Sequence, residues 1–218
     1  MDKKQKHESR LMSERRTYRI EGITPLLGSQ AANPDIRTAY IMSKAPKDLT
    51  DDENEYLPNP DDQDLNVFLR DLRTGSLMLM DYMVRGFFKA AIDATKSQNG
   101  IKASAGKVDK YLFVYPRYID IMRDGKPILE EDIVFERPIR MQTMQGPRTA
   151  LKGSEEVDDP WSITITVELL PNDKTAKSNG ITWDDVELAL DYGMRNGLGQ
   201  FRNGGYGRFT WQEVRDEQ

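Results

Sequence analysis

The sequence predicts an α+β fold, and three observations carry that expectation. WSITITVELL (161–170) alternates strictly: Trp161, Ile163, Ile165, Val167 and Leu169 on one face, Ser162, Thr164, Thr166 and Glu168 on the other. That is the pattern of a strand with one face on the core. YMVRGFFKAAIDATK (82–96) switches to helical period, with Val84, Phe87, Ala91 and Thr95 on one stripe and SQNG as its stop. Along the chain the elements run strand, helix, two strands, strand, helix, strand. With the remaining hairpins taken as elaborations, that order is a ferredoxin-like (RRM-like) βαββαβ core with hairpin and loop insertions.

Each element has its own signal. TYRIEGI (17–23) alternates and is followed by the breakers Pro25 and Gly28. Residues 66–80 predict a hairpin, NVFLRDL and SLMLM around Thr74-Gly75. Gly86, inside the first helix, costs about 1 kcal/mol of propensity, which predicts a close backbone approach there. YLFVYPRYIDIM (111–122) and PILEEDIVF (127–135) flank Arg123-Asp124-Gly125-Lys126, a hairpin signal. Thr182 is placed to cap a second helix, with Asp185 in the capping-box position and Trp183, Val186, Leu190 and Met194 as the apolar stripe. YGRFTWQEV (206–214) closes the series as a strand.

Composition narrows the function. With 218 residues, no cysteine and one histidine, His7, in a charged stretch, disulfides, thiolate zinc sites, cysteine nucleophiles and histidine-based triads are excluded. No run of about 18 apolar residues exists, and residues 1–16 lack the apolar segment of a secretory signal, so the expected location is the cytoplasm, away from membranes. The net charge of −5 is unevenly spread. Residues 45–64 hold eight acids and one lysine, a local −7, while residues 1–16 hold six basic and three acidic groups, a local +3. The expected organisation is a basic flexible tail (1–16) and a single domain (17–218) carrying an acidic mobile insertion (45–64). One acidic insertion can mask a basic face, so the overall acidity does not exclude nucleic acid. No metal site or cofactor is expected. Adjacent carboxylates such as Glu155/Glu156 and Asp158/Asp159 lack a partner of the complementary role for acid–base chemistry.

The segment with most chemical content is GLGQFRNGGYGRF (197–209), with glycines at 197, 199, 204, 205 and 207. Such density lets backbone approach a polyanion, with Gly204 and Gly205 at its centre. Arg202 and Arg208 add charge, and Phe201 and Tyr206 add flat faces for a base. A second constellation is ERPIRMQTMQGPR (136–148), where Arg137, Arg140 and Arg148 suit phosphates and Gln142 and Gln145 suit base edges or sugars around the Gly146-Pro147 turn. A third is Arg85 to Lys89 in the early turns of the first helix, where phosphate would meet the positive end of the dipole.

GLGQFRNGGYGRF, placed after the second helix of such a core, resembles the glycine-rich signature of the RAMP superfamily, the RNA-binding proteins of CRISPR effector complexes that include the backbone subunits coating guide RNA. DYMVRGFFKAAIDA (81–94) stands where that superfamily has a glycine-containing start of its first helix. Over residues 17–214, with TPLLGSQAANPDI, YMVRGFFKAA and ERPIRMQTMQGPR, the chain also resembles a family of small bacteriophage or prophage proteins. The resemblance implies a phage-encoded relative of the backbone subunit that binds single-stranded nucleic acid without cutting it, RNA before DNA, and a homo-oligomer of copies stacked head to tail. The site residues would be Arg85, Lys89, Arg137, Arg140, Gln145, Arg148, Arg202, Gly204, Gly205, Tyr206 and Arg208. A second reading is a phage protein that binds a host protein complex, a decoy or inhibitor of the CRISPR machinery, through the acidic segment. A third is a metal-dependent endoribonuclease, since some backbone members cut with a loop aspartate, a role open to Asp48, Asp51 or Asp52.

Overall fold

A computed structural model describes residues 13–31, 65–96, 105–143, 146–170 and 181–215. The fold is mixed α+β and sheet-rich, with three α-helices among the described residues. In chain order the elements are β1 (Glu14–Gly22), β2 (Leu26–Leu27), β3 (Gln30–Ala31), β4 (Leu65–Val67), β5 (Leu69–Arg70), β6 (Leu77–Met80), α1 (Asp81–Thr95), α2 (Ala105–Tyr111), β7 (Leu112–Tyr115), β8 (Tyr118–Asp120), β9 (Met122–Arg123) and β10 (Lys126–Pro127). They continue with β11 (Ile133–Thr143), β12 (Gly146–Val157), β13 (Ser162–Leu169), α3 (Trp183–Asn196) and β14 (Phe209–Val214).

The first strand is the middle of the main sheet. β1 pairs antiparallel with β13 on one side (Thr17 opposite Thr166) and with β14 on the other (Ile20 opposite Trp211). The far edge of β13 is taken by β7, Leu169 opposite Leu112, and by Met122 of β9. Alternation decides the faces. Tyr18, Ile20, Ile163, Ile165 and Val167 point inward and join one apolar core with Val84, Phe87, Phe88 and Ala91 of α1 and Val186, Ala189 and Leu190 of α3. Burying each of the larger side chains contributes about 1.5–3 kcal/mol. Arg15, Arg19, Glu21 and Thr164 face solvent.

The capping-box expectation holds. The Asp185 backbone N–H donates to Thr182 Oγ1 (3.3 Å), and the Thr182 N–H donates to Asp185 Oδ2 (2.9 Å). Met194, expected on the stripe of this helix, is exposed; Gly193 takes the contact instead, because the Phe209 ring lies against it and a Cβ there would stand 2.1 Å from Phe209 Cζ.

Several local expectations give way to tertiary context. β1 begins at Glu14, so Arg15 and Arg16 belong to the sheet and not to a tail. Residues 111–122 divide into β7, β8 and β9, interrupted at Pro116, and residues 127–135 are not one strand: only the short β9–β10 ladder (Lys126 opposite Arg123) forms, and β11 starts at Ile133. Gly86 meets nothing within 4 Å, so no chain approaches it closely. The segment 136–148 contributes to two long strands: β11 and β12 pair from Ile133–Glu156 to Thr143–Gly146. Pro138 is tolerated because β11 is the outer strand of its sheet.

β12 then reaches back to the N-terminal third. It pairs in parallel with β4 (Ser154 alongside Asn66) and antiparallel with β2 (Glu156 opposite Leu27), while β3 closes on β4. The junction is locked by a buried ion pair: Glu155 accepts from Arg70 Nη2 (2.8 Å) and from the Phe68 N–H (2.7 Å), and Arg70 also reaches Glu131 (2.7 Å). β5, β6 and β8 form a small third sheet. Residues 1–12, which hold His7, and the acidic segment 45–64 lie outside the described residues. No helix among the described residues is long and apolar enough to cross a membrane.

Candidate nucleic-acid interface

Cross-strand partners share a face. On the lower part of the hairpin, Phe135 opposite Ser154 and Ile133 opposite Glu156 therefore look the same way, with Arg137 two residues further along β11. The loop 197–208 lies against this face. The Arg137 guanidinium carbon sits 3.6 Å from the centre of the Phe201 ring. Tyr206 packs between Phe201 (5.7 Å between centroids) and Phe135 (5.2 Å). Gln200 Oε1 accepts from Ser154 Oγ (3.4 Å) and from Asn66 Nδ2. Two constellations far apart in sequence thus become one site.

The loop geometry is built to hold Phe201. Its backbone is left-handed, φ 53°, uncommon for an aromatic residue and costing of order 1–3 kcal/mol. Phe201 and Gly204 bracket a single 3₁₀ turn, closed by the Gly204 N–H donating to the Phe201 carbonyl (2.8 Å). Phe201 nevertheless remains partly open to solvent, 37% exposed.

The glycines answer mostly to the chain itself. The Gly207 N–H donates to the Pro25 carbonyl (2.7 Å), the Gly205 N–H to the Arg202 carbonyl (2.9 Å), and the Leu198 N–H to the Gly207 carbonyl (2.8 Å). The Arg208 N–H donates to Thr24 Oγ1 (2.8 Å), and that hydroxyl donates to the Gly205 carbonyl (2.9 Å). At Gly207 a Cβ would stand 1.9 Å from the Leu198 carbonyl oxygen. The amides of Gly204, Gly205 and Gly207 are therefore committed internally, and the loop offers side chains to a ligand before backbone.

Electrostatics sharpen the picture. Arg137 has no carboxylate partner among the described residues; its Nε is buried without a hydrogen bond, and burial draws its pKa below the ordinary guanidinium value. Burial, then the neighbouring Glu156, pushes the Tyr206 phenol up. Glu156 is itself buried, with Oε2 unpartnered, and burial followed by Asp158 holds its carboxyl above the ordinary range. Arg202 is half-buried and Arg208 exposed, with neither in an ion pair among the described residues.

Other expected site residues are placed differently. Lys89 on α1 is ion-paired to Asp109 of α2 (2.7 Å), and the first turn of α1 already carries a carboxylate, Asp81, whose Oδ1 accepts the Tyr82 N–H (2.7 Å). No hydrogen bond or ion pair joins Arg85 or Lys89 to the loop among the described residues. Arg140 and Arg148 occupy adjacent ladder positions on β11 and β12 (Met141 opposite Arg148); Gln145 and Asp48, Asp51 and Asp52 lie outside the described residues. No group of three or more metal-type ligands occurs among the described residues. Phe135, Asn66, Ser154 and Gln200 join this cluster without having been singled out by sequence, and Glu156, which the sequence marked only as one of two adjacent carboxylates, joins it too. Phe135 alternates with Arg137, which would have revealed it had 133–143 been read as a strand.

No family model and no curated protein matches the chain. Among solved structures it is similar to a chain of a type III-B Cmr-β complex bound to cognate target RNA, with a TM-score of 0.40, 8% identity and 92% of this chain covered. It spans 61% of that chain's length. It is also similar to a chain of a type IV-B CRISPR complex, with a TM-score of 0.42, 10% identity, and 94% of this chain and 92% of that one covered. Overlaps of this size are distant.

Proposed function

We propose that this protein binds single-stranded nucleic acid at the junction of the β11–β12 hairpin and the loop 197–208, with RNA as the first candidate strand, as the RAMP resemblance of GLGQFRNGGYGRF implies. The observation that carries the reading is the Arg137–Phe201 pair. A guanidinium stacked by one face on an aromatic ring, without a carboxylate partner, offers its other face to a base and its edge to a phosphate. Phe201 and Tyr206 extend the stacking surface, and Arg202 and Arg208 supply charge along a strand, with Arg148 the further arginine of the hairpin whose register position falls on the face of Arg137.

The core that presents this site is read as ferredoxin-like. Supporting it, the main sheet runs β14-β1-β13-β7 with every neighbour antiparallel, α1 falls between β1 and β7, and α3 falls between β13 and β14. Head-to-tail stacking of copies belongs to the same proposal. β11 is an outer strand of 11 residues whose far edge has no partner among the described residues, a ready template for another chain.

The test is fluorescence anisotropy of labelled single-stranded RNA and DNA of equal length, titrated at several salt concentrations. Affinity that falls with salt by about 0.7 in log–log slope for each phosphate contacted is expected. A flat salt dependence, or no binding to either strand, removes the reading. Light scattering with and without a long strand reads the stacking, and a monomer under both conditions removes that part.

A further inference from the structure

Gln200 precedes Phe201, and its side chain is held in an unusual way. Both side-chain hydrogen bonds it makes among the described residues go to one atom: Oε1 accepts from Asn66 Nδ2 and from Ser154 Oγ. Asn66 is 3% exposed and Ser154 fully buried, so these donors come from the protein interior and hold the amide by its oxygen. Gln200 itself is half-buried, and its Nε2 has no partner among the described residues. A free glutamine amide offers one acceptor and two donors, and can pair with adenine through both. Here the acceptor is consumed from behind, and only N–H donors remain for a ligand.

We propose that Gln200 is a base-reading residue restricted to donation, which reads the edge position that is a carbonyl in uracil or thymine (O4) and guanine (O6) but an amino group in cytosine (N4) and adenine (N6), and so selects the first set over the second. This rests on the nucleic-acid reading of the site. Discrimination comes from sign: an N–H facing the O4 of uracil makes a bond, whereas an N–H facing the amino group of cytosine or adenine at that edge leaves two donors opposed and desolvated. Stacking on Arg137 and Phe201 is tolerant of base identity, so the amide is the element of the cluster that tells one base edge from another.

The experiment measures equilibrium affinity for labelled oligouridine, oligoadenosine and oligocytidine of equal length, for the unaltered protein, Gln200→Glu and Arg137→Ala, with melting temperature followed for each. Gln200→Glu keeps an oxygen for Asn66 and Ser154 and replaces the outward NH2 by an acceptor. The expected result is a fall of at least about fivefold in the ratio of oligouridine to oligoadenosine affinity, with a similar fall against oligocytidine. Arg137→Ala is expected to weaken all three strands alike. If Arg137→Ala weakens binding while Gln200→Glu leaves both ratios unchanged, the base-reading role is overturned and the site stands. Ratios that rise in Gln200→Glu would mean that the outward atom is Oε1, which also overturns it. If neither variant changes any affinity, the site itself lies elsewhere.

Discussion

Phe201 lies directly over Gly204: a Cβ built on Gly204 would stand 2.3 Å from Phe201 Cε1 and 2.6 Å from Cδ1. The glycine is there for the ring and not for a turn, since its φ is not in the left-handed region. Gly204→Ala is therefore expected to push the Phe201 ring off the Arg137 guanidinium and lower affinity for single-stranded RNA at least about tenfold, roughly 1.4 kcal/mol, while the melting temperature drops little. Gly207→Ala should do the reverse. Its φ of 69° and the Leu198 carbonyl leave no room for a methyl group, so about 1–3 kcal/mol of stability is lost to strain. Chemical denaturation and anisotropy on both variants check the contrast; equal behaviour of the two would refute it.

Replacement of Arg137 tests charge and shape together. Arg137→Ala is expected to cut affinity at least about tenfold, roughly 1.4 kcal/mol, and to reduce the salt slope by about 0.7. Arg137→Lys keeps the charge but not the planar face, so the slope should return while most of the affinity does not. Full recovery with lysine would assign Arg137 to phosphate alone.

The buried carboxyl of Glu156 gives a pH dependence with a definite sign. Its folded pKa is raised above the ordinary 4.5 by burial and by Asp158, so the folded state holds the proton more tightly than the unfolded chain. Its contribution is fully present below pH 4.5 and is lost as pH rises through the higher folded value. Asp132 works in the opposite sense, because Arg123, 2.6 Å away, holds its carboxyl below the ordinary value. That stability is lost as pH falls. Glu156→Gln should stabilise the protein at pH 7 more than at pH 4, read as the shift in urea midpoint. An equal shift at both pH values would count against the assignment.

Arg70 is the counter-charge of a buried acid. Removing it by Arg70→Ala leaves Glu155, 4% exposed, without its cation, and a loss of about 3–5 kcal/mol is expected at pH 7. Adding Glu155→Gln to that variant should restore part of the loss, which a double-mutant cycle in urea would measure.

The elements that the sequence disclosed are those whose signals are local. The alternation of 161–170, the stripe Val84–Phe87–Ala91 and the Thr182–Asp185 box each lie within one helix or one strand, and each forms as expected. The β11–β12 hairpin was hidden because Pro138, Pro147 and the arginines look like a loop, and it is the ladder itself that makes them strands. Half of the site was legible for a similar reason. Arginines and aromatics are conspicuous wherever they occur, whereas Asn66 and Ser154 matter only because a parallel pairing of β4 with β12 brings them to Gln200. The density of glycine in 197–207 suggests backbone turned toward a ligand, whereas the loop folds tightly on Pro25 and Leu198 and leaves Phe201 partly open to solvent.

The position of β1 at the centre of the main sheet bears on how the protein is made. Its partner residues on β13 lie far downstream; the hydroxyls of Thr17 and Thr166, 2.9 Å apart, are separated by 149 residues of chain. At a ribosomal pace of about 5–20 residues per second, β1 emerges roughly 7–30 s before its first neighbour exists. Throughout that interval Tyr18 and Ile20, among the most deeply buried side chains of the finished molecule, have no sheet to enter. The nascent chain must carry an unpaired apolar strand while the 149 residues between Thr17 and Thr166 are added, and the second side of that strand stays open until β14 follows β13.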